Sequence, residues 1–90
     1  MKRAVITVVG KDSVGIIARI CSYLADRGIN ILDISQTIVG GYFNMMMIID
    51  ATPIDDSFAS VARDIKKLGV ELGMDIHCQK EEIFESMHRI

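Results

Sequence analysis

The order of apolar and polar residues predicts short strands separated by amphipathic helices. Residues 4–9 form an apolar, largely β-branched run that Gly10 ends, as in a strand buried on both faces. Apolar residues then recur with helical spacing until Gly28, which suits a left-handed C-cap. The expected buried stripe of this first helix consists of Ile16, Ile17, Ile20, Cys21 and Leu24. The chain therefore begins with a strand and a helix that packs on it.

Two more strands are expected on either side of a tight turn. Residues 30–38 alternate between apolar and polar side chains, which predicts an edge strand with one wet face. Gly40-Gly41 predicts a two-residue hairpin, because glycine tolerates positive φ at both central turn positions. Residues 42–50 carry apolar side chains on both faces, so we expect that strand to lie inside the sheet.

A second helix and a last strand complete the pattern. Pro53 and the acidic pair Asp55-Asp56 predict the helix start, and Gly73 predicts its end. The expected buried stripe consists of Phe58, Val61, Ala62, Ile65, Leu68 and Leu72. Residues 74–80 then predict a strand. This order predicts an α+β fold, the ferredoxin-like βαββαβ sandwich, with a four-stranded antiparallel sheet and both helices on one face.

Such a fold leaves one sheet face without helices, and the end of the chain offers a cover for it. That open face would carry four apolar side chains at its centre: Val5, Val9, Met46 and Ile48. Residues 81–90 form an amphipathic tail, whose apolar side consists of Ile83, Phe84, Met87 and Ile90. A helix of about ten residues is marginal alone, so the tail requires a surface. We expect it to pack on a sheet face, its own or that of a second copy, and to make or strengthen a homodimer.

Length and charge set further bounds on the function. The 90 residues predict one domain over 1–80 followed by the tail over 81–90. Net charge is −2 and the basic residues are scattered, which argues against nucleic acid or a membrane as partner. The N-terminal segment fails as a secretory signal, so we expect a cytoplasmic location. Cys21 and Cys78 have neither metal-ligand nor disulfide-framework spacing.

No catalytic or cofactor pattern emerges from the residues. Gly10 and Gly15 have the outer spacing of a phosphate loop, but Ile16-Ile17 stand where Lys-Ser/Thr is required. The three methionines at 45–47 are better explained as core residues than as metal ligands. His77 is more simply an exposed strand residue than a ligand. We therefore expect a protein that is not an enzyme and needs no cofactor.

The loop before the first helix is the best candidate for a binding site. Asp12 or Ser13 could cap the helix by accepting hydrogen bonds from its first N–H groups. Gly15 has two explanations that the loop leaves open. It either permits the turn or makes room for a ligand, such as a carboxylate at the helix N-terminus.

The chain resembles an ACT domain, the small regulatory module that binds amino acids in many metabolic enzymes. The matching segments are AVITVVG, DSVGII and LADRGINI. It is most similar to an uncharacterised family of free-standing ACT-domain proteins in bacteria and archaea. In ACT domains the ligand lies between the loop and helix start of one protomer and the second strand of a neighbour. By position, the resemblance implies a ligand site made of Asp12, Val14, Gly15, Asn30 and Ile31.

The roles that the resemblance implies follow from simple chemistry. Backbone N–H groups near Val14 and Gly15 would hold the ligand carboxylate, while Asp12 or Asn30 would accept from its ammonium. Asn30 has an alternative role in stabilising the corner between helix and strand. The expected function is a non-enzymatic regulatory homodimer that binds an amino acid or similar metabolite and acts on an enzyme or transcription regulator. The alternative is an interaction module without a small-molecule ligand.

Overall fold

A computed structural model describes residues 1–11 and 15–87 of the chain. Its elements are β1 (Arg3–Lys11), α1 (Ile16–Asp26), β2 (Ile31–Val39), β3 (Tyr42–Asp50), a 3-10 turn (Thr52–Ser57), α2 (Phe58–Leu72), β4 (Asp75–Lys80) and α3 (Glu81–Met87). The strands form one antiparallel sheet in the order β2-β3-β1-β4. The predicted α+β βαββαβ fold is confirmed, with β1 and β3 at the centre and a short C-terminal helix.

The core lies between the two long helices and one face of the sheet. Alternate residues of the central strands are buried there, and α1 adds Ile16, Ile20 and Leu24. α2 comes so close to β4 that a Cβ on Gly69 would lie 2.8 Å from the carbonyl oxygen of Met74. The predicted stripe of each helix therefore does face the core, and close packing of α2 explains a glycine inside that helix.

The two helices are also joined at their outer surface. Tyr23 of α1 donates a hydrogen bond to a carboxylate oxygen of Asp64 of α2 over 2.9 Å. The Arg27 guanidinium lies 3.6 Å from the same oxygen and 3.9 Å from the centroid of the Tyr23 ring. Burial and the bond to Asp64 raise the pKa of Tyr23 to about 12. This small cluster fixes the end of α1 against the middle of α2.

Two predicted boundaries need correction. The α-helical part of the second helix begins at Phe58, because Pro53 and its neighbours form a 3-10 turn with non-helical dihedral angles at Ile54. β2 begins at Ile31, and a bulge interrupts its pairing with β3 between Ile31 and Asp33. The hairpin at 40–41 is as predicted, with positive φ at both glycines.

α3 folds back over part of the open sheet face of its own protomer. Gln79, which points to that face, donates a hydrogen bond to the Met87 sulfur over 3.2 Å. Val5 points to the same face and is only 2% exposed, although it lies outside the helix-side core. At the other end of the face, Val9 and Met46 remain exposed. The expected apolar patch is thus covered at one end only.

Candidate ligand site

Gly15 occupies the N-cap position of α1. Its φ is +86°, so the turn requires a glycine whether or not a ligand binds. Apart from its chain neighbours, no atom of the described residues lies within 4 Å of a Cβ built on it. The carbonyl of Gly15 accepts the first helical hydrogen bond, from the Arg19 N–H over 2.9 Å. We expected Asp12 or Ser13 at the N-cap position, but the residue at that position is Gly15. Asp12, Ser13 and Val14 themselves lie outside the described residues.

Asn30 stands at the corner between α1 and β2. Its backbone carbonyl accepts a hydrogen bond from the Asp50 N–H over 2.9 Å, and this bond holds the corner. Its exposed side-chain amide has no hydrogen-bond partner among residues 1–11 and 15–87. Within the described residues, the corner is therefore held by the backbone of Asn30 and not by its side-chain amide. Ile31 follows in the strand, pairs with Ile49 and is 37% exposed.

Gly15 and Asn30 do not meet within one protomer. They flank α1, whose 11 residues span about 16 Å at 1.5 Å per residue. Gly15 lies at the end of the sheet where β1 finishes, and Asn30 lies at the end where β1 starts. The two halves of the expected site are thus at opposite ends of the molecule, and a second copy is required to join them.

β2, which begins at Ile31, is an edge strand of the sheet. It pairs with β3 alone, and all nine of its residues are exposed. The sequence pattern predicts one wet face, but both faces are accessible because neither helix covers this strand. Its large exposed apolar residues are Ile31, Leu32, Ile34, Ile38 and Val39.

A cavity of about 400 Å³ opens beside β2 at the end nearer Gly15. It is lined by Gln36, Thr37, Ile38 and Phe43. Phe43 pairs with Gly10, so this cavity lies near the end of β1 that leads into the loop. Nothing in the sequence pattern singled out Gln36, which the alternation places on the apolar side of its strand. A polar residue at a position where the alternation expects an apolar one is the signal that could have indicated a site.

Few of the residue types that commonly bind metals lie close together in the described parts of the chain. No group of three or more His, Cys, Asp or Glu side chains in residues 1–11 and 15–87 could hold a metal ion. His77 Nε2 lies 2.9 Å from a carboxylate oxygen of its neighbour Asp75, on the open face. The Cys78 thiol is buried, which raises its pKa to about 12 and leaves it protonated at neutral pH.

The predicted tail residues have different surroundings. Phe84 is half-buried, whereas Ile83 and Met87 are 50% and 63% exposed. Ile90 lies outside the described residues. The tail therefore buries part of its apolar side on its own sheet and presents the rest outward, which leaves its expected part in a dimer as a prediction.

A family model for the ACT domain matches residues 2–79. The chain belongs to the ACT-domain family. A UPF0237 protein of Bifidobacterium longum is 56% identical over 90 residues, which cover all of both chains. A UPF0237 protein of the archaeon Methanocaldococcus jannaschii is 44% identical, again over the whole of both. These relatives place this ACT domain in the UPF0237 family of small ACT-domain proteins in bacteria and archaea.

A solved structure supports the same assignment. An ACT domain protein from Streptococcus pneumoniae superposes with a TM-score of 0.81 at 38% identity, covering 97% of this chain and 98% of that one. No catalytic domain is evident in the parts of this ACT protein that the structure describes. None of the helices described is long and apolar enough to cross a bilayer.

Proposed function

We propose that this ACT regulatory module binds an amino acid or similar small metabolite at an interface between two copies of the chain. The observation that carries the proposal is the exposed edge strand β2, which pairs with β3 on one side and with no described strand on the other. A strand that offers its backbone groups and five large apolar side chains to solvent is a template for pairing with another chain. A second β2 is a self-complementary partner for it.

Antiparallel pairing of two β2 strands would assemble the divided site. The start of β2 in one copy, at Asn30 and Ile31, would lie beside the end of β2 in the other, at Val39. That end is the one nearer Gly15. Gly15 of one copy and Asn30 of the other would therefore share one end of a joint eight-stranded sheet. This arrangement agrees with the ligand position that the ACT resemblance implies.

The chemistry available there suits a zwitterion. The first N–H groups of α1, which follow Gly15, have no carbonyl partner within the helix and can donate to a carboxylate. The free amide of Asn30 has a carbonyl oxygen that can accept from an ammonium group. The cavity beside Ile38 and Phe43 offers space for a side chain. By this proposal, ligand binding alters the dimer and thereby a partner enzyme or transcription regulator.

Thermal unfolding of the full chain with each of the amino acids at millimolar concentration tests the proposal. We expect a saturable rise in the unfolding temperature with at least one of them, because a ligand that binds only the folded state stabilises it. Asn30→Ala should abolish that rise. Gly15→Ala should also abolish it. The control Gly73→Ala changes another positive-φ position with open space around it, so it should lower the unfolding temperature but leave the ligand-induced rise intact.

An absence of any ligand effect would instead favour the second candidate, an interaction module without a small ligand. The uncovered end of the open face supports that alternative, since Val9, Tyr42 and Met46 are 45%, 51% and 41% exposed. The same titrations decide between the two functions.

A further inference from the structure

One row of residues crosses the sheet on the side of the helices, at the end where β1 finishes. Ile38 of β2 pairs with Phe43 of β3, and Phe43 pairs with Gly10 of β1. When the register between β1 and β4 is continued by one residue, Met74 stands opposite Gly10. The row therefore runs from the exposed edge at Ile38, through Phe43 and Gly10, to Met74.

The glycine in this row leaves a space that Met74 fills. A Cβ on Gly10 would lie 2.5 Å from the Met74 sulfur and 3.2 Å from its terminal methyl carbon. The Met74 side chain therefore passes directly over Gly10. Cross-strand neighbours have Cβ atoms only about 5 Å apart, so this space adjoins the Phe43 side chain. Met74 and Phe43 belong to the same core, and each is 6% exposed.

The backbone of Met74 is held firmly at the corner between α2 and β4. The Met74 N–H donates a hydrogen bond to the carbonyl oxygen of Gly69 over 2.8 Å. A Cβ on Gly69 would lie 2.8 Å from the Met74 carbonyl oxygen, so α2 packs directly on this backbone. Met74 therefore cannot move away from Gly10 without shifting the corner.

The cavity of the candidate ligand site lies on the other side of Phe43. It is lined by Phe43 and by the β2 residues Gln36, Thr37 and Ile38, and Met74 is not among its described lining residues. Phe43 thus separates the cavity from the space over Gly10. An empty space there would let the aromatic ring turn away from the cavity and enlarge it. The Met74 thioether prevents that movement because it occupies the space.

We infer that Met74 is a positioning residue of the ligand site, whose thioether holds the Phe43 ring in place as a wall of the cavity. This role rests on the ligand binding proposed above. A binding site requires its contacting groups to be held to within about 0.5 Å, and the side chains packed behind them provide that support. Methionine suits the role because its unbranched side chain fills an irregular gap.

Amide NMR of the ¹⁵N-labelled full chain, titrated with a mixture of the standard amino acids, tests this role. In the unchanged chain the mixture should shift the Gly15 and Phe43 signals saturably. Met74→Ala should raise the concentration for half of the maximal shift at least about tenfold, because the cavity wall is no longer fixed. Met74→Leu refills the space and should keep that concentration within about threefold of the original.

Met47→Ala is the matched control. Met47 is fully buried on the same side of β3 but does not line the cavity. The substitution removes the same atoms and should lower the unfolding temperature. It should nevertheless leave the concentration for half of the maximal shift within about threefold of the original, because it leaves Phe43 supported.

A second test refills the space from β1. Gly10 does not have a positive φ, so an alanine there meets no resistance from the backbone conformation. In the double variant Gly10→Ala, Met74→Ala, the new methyl group occupies part of the vacated space. The double variant should therefore bind at least about threefold more tightly than Met74→Ala alone.

Three results would overturn the role of Met74. The first is binding by Met74→Ala as tight as that of the unchanged chain. The second is an equal weakening by Met47→Ala, and the third is a double variant that binds no better than Met74→Ala. If Met74→Ala does not fold, Met74→Val, which removes less of the side chain, replaces it with the same expectations. An unchanged chain without any saturable shift would instead refute the ligand site itself, and this role with it.

Discussion

Gly69 is the residue at which α2 and β4 come closest. Alanine usually favours a helix over glycine by about 1 kcal/mol, but a Cβ here would meet the Met74 backbone and the Ile76 side chain at 2.8 Å. The backbone oxygen cannot move without shifting β4. We therefore expect Gly69→Ala to lower the free energy of unfolding by roughly 1–2 kcal/mol, measured by chemical denaturation. Val70→Ala, at a neighbouring position 75% exposed, should change it by less than about 0.5 kcal/mol.

The Cys78 thiol, which is buried, and the Tyr23 hydroxyl, which is partly buried, link stability to alkaline pH. Burial raises the pKa of the Cys78 thiol from 9.0 to about 12, and burial with the bond to Asp64 raises that of Tyr23 from 10.0 to about 12. At a pH between the ordinary pKa and the raised pKa of each group, the unfolded chain releases a proton that the folded chain keeps. Stability is therefore complete below about pH 9 and falls as pH rises toward 12. Unfolding temperatures measured across this range should show the decline, and Cys78→Ala should remove its lower part.

A pH-independent unfolding temperature over that range would show that neither proton is linked to folding. The reactivity of the same thiol in the folded protein can also be measured. Because the thiolate is the reactive form, Cys78 should react slowly with thiol reagents near neutral pH and faster only on unfolding.

At the scale of the elements, we expect α3 to stabilise the domain mainly through Phe84. This side chain is half-buried, whereas Ile83 beside it is 50% exposed, although both belong to the predicted apolar side. We expect Phe84→Ala to cost about 1–2 kcal/mol of unfolding free energy, and Ile83→Ala well below that. Chemical denaturation of the two variants side by side makes the comparison. Equal losses would mean that α3 does not pack on the domain through Phe84 in solution.

The elements themselves could largely be predicted from the sequence. β1 and β3 carry apolar residues on both faces, and the fold places both in the middle of the sheet. Periodicity reports which face of a strand is apolar, but not what lies over it. For that reason the exposure of Ile34 and Ile38 of β2 could not be predicted. The end of the 3-10 turn at Ser57 was missed because proline and acidic residues suit either kind of helix.

The candidate site was less accessible to prediction than the fold. Gly15 could be selected because an N-terminal helix boundary has a local signature, and its positive φ explains the residue. The position of Asn30 at the far end of α1 depends on the path of the helix and the sheet order. The place of Met74 opposite Gly10 depends on the register between the first and last strands, which the pattern of each strand leaves open. Sites assembled from distant elements are therefore the part that a single sequence specifies least.

At the scale of the whole molecule, the exposed edge of β2 predicts a dimer. Ile34 lies near the middle of that strand, so lysine there would bring two like charges together across the two-fold axis of a β2–β2 contact. We expect Ile34→Lys to shift the chain from dimer to monomer in sedimentation velocity. Val70→Lys, which places the same charge on an exposed position of α2, should leave the dimer intact. A dimer that survives Ile34→Lys would use another surface.

The position of β1 in the sheet has a consequence for synthesis of the chain. β1 is made first, yet its two neighbours are β3 and β4, and β4 is the last strand to be made. An emerging polypeptide therefore cannot close this sheet until β4 has left the ribosome. Such long-range pairing slows folding and leaves the nascent N-terminal strand without its final neighbour for most of translation. Chaperones that bind apolar nascent segments would meet residues 4–9 of this chain first.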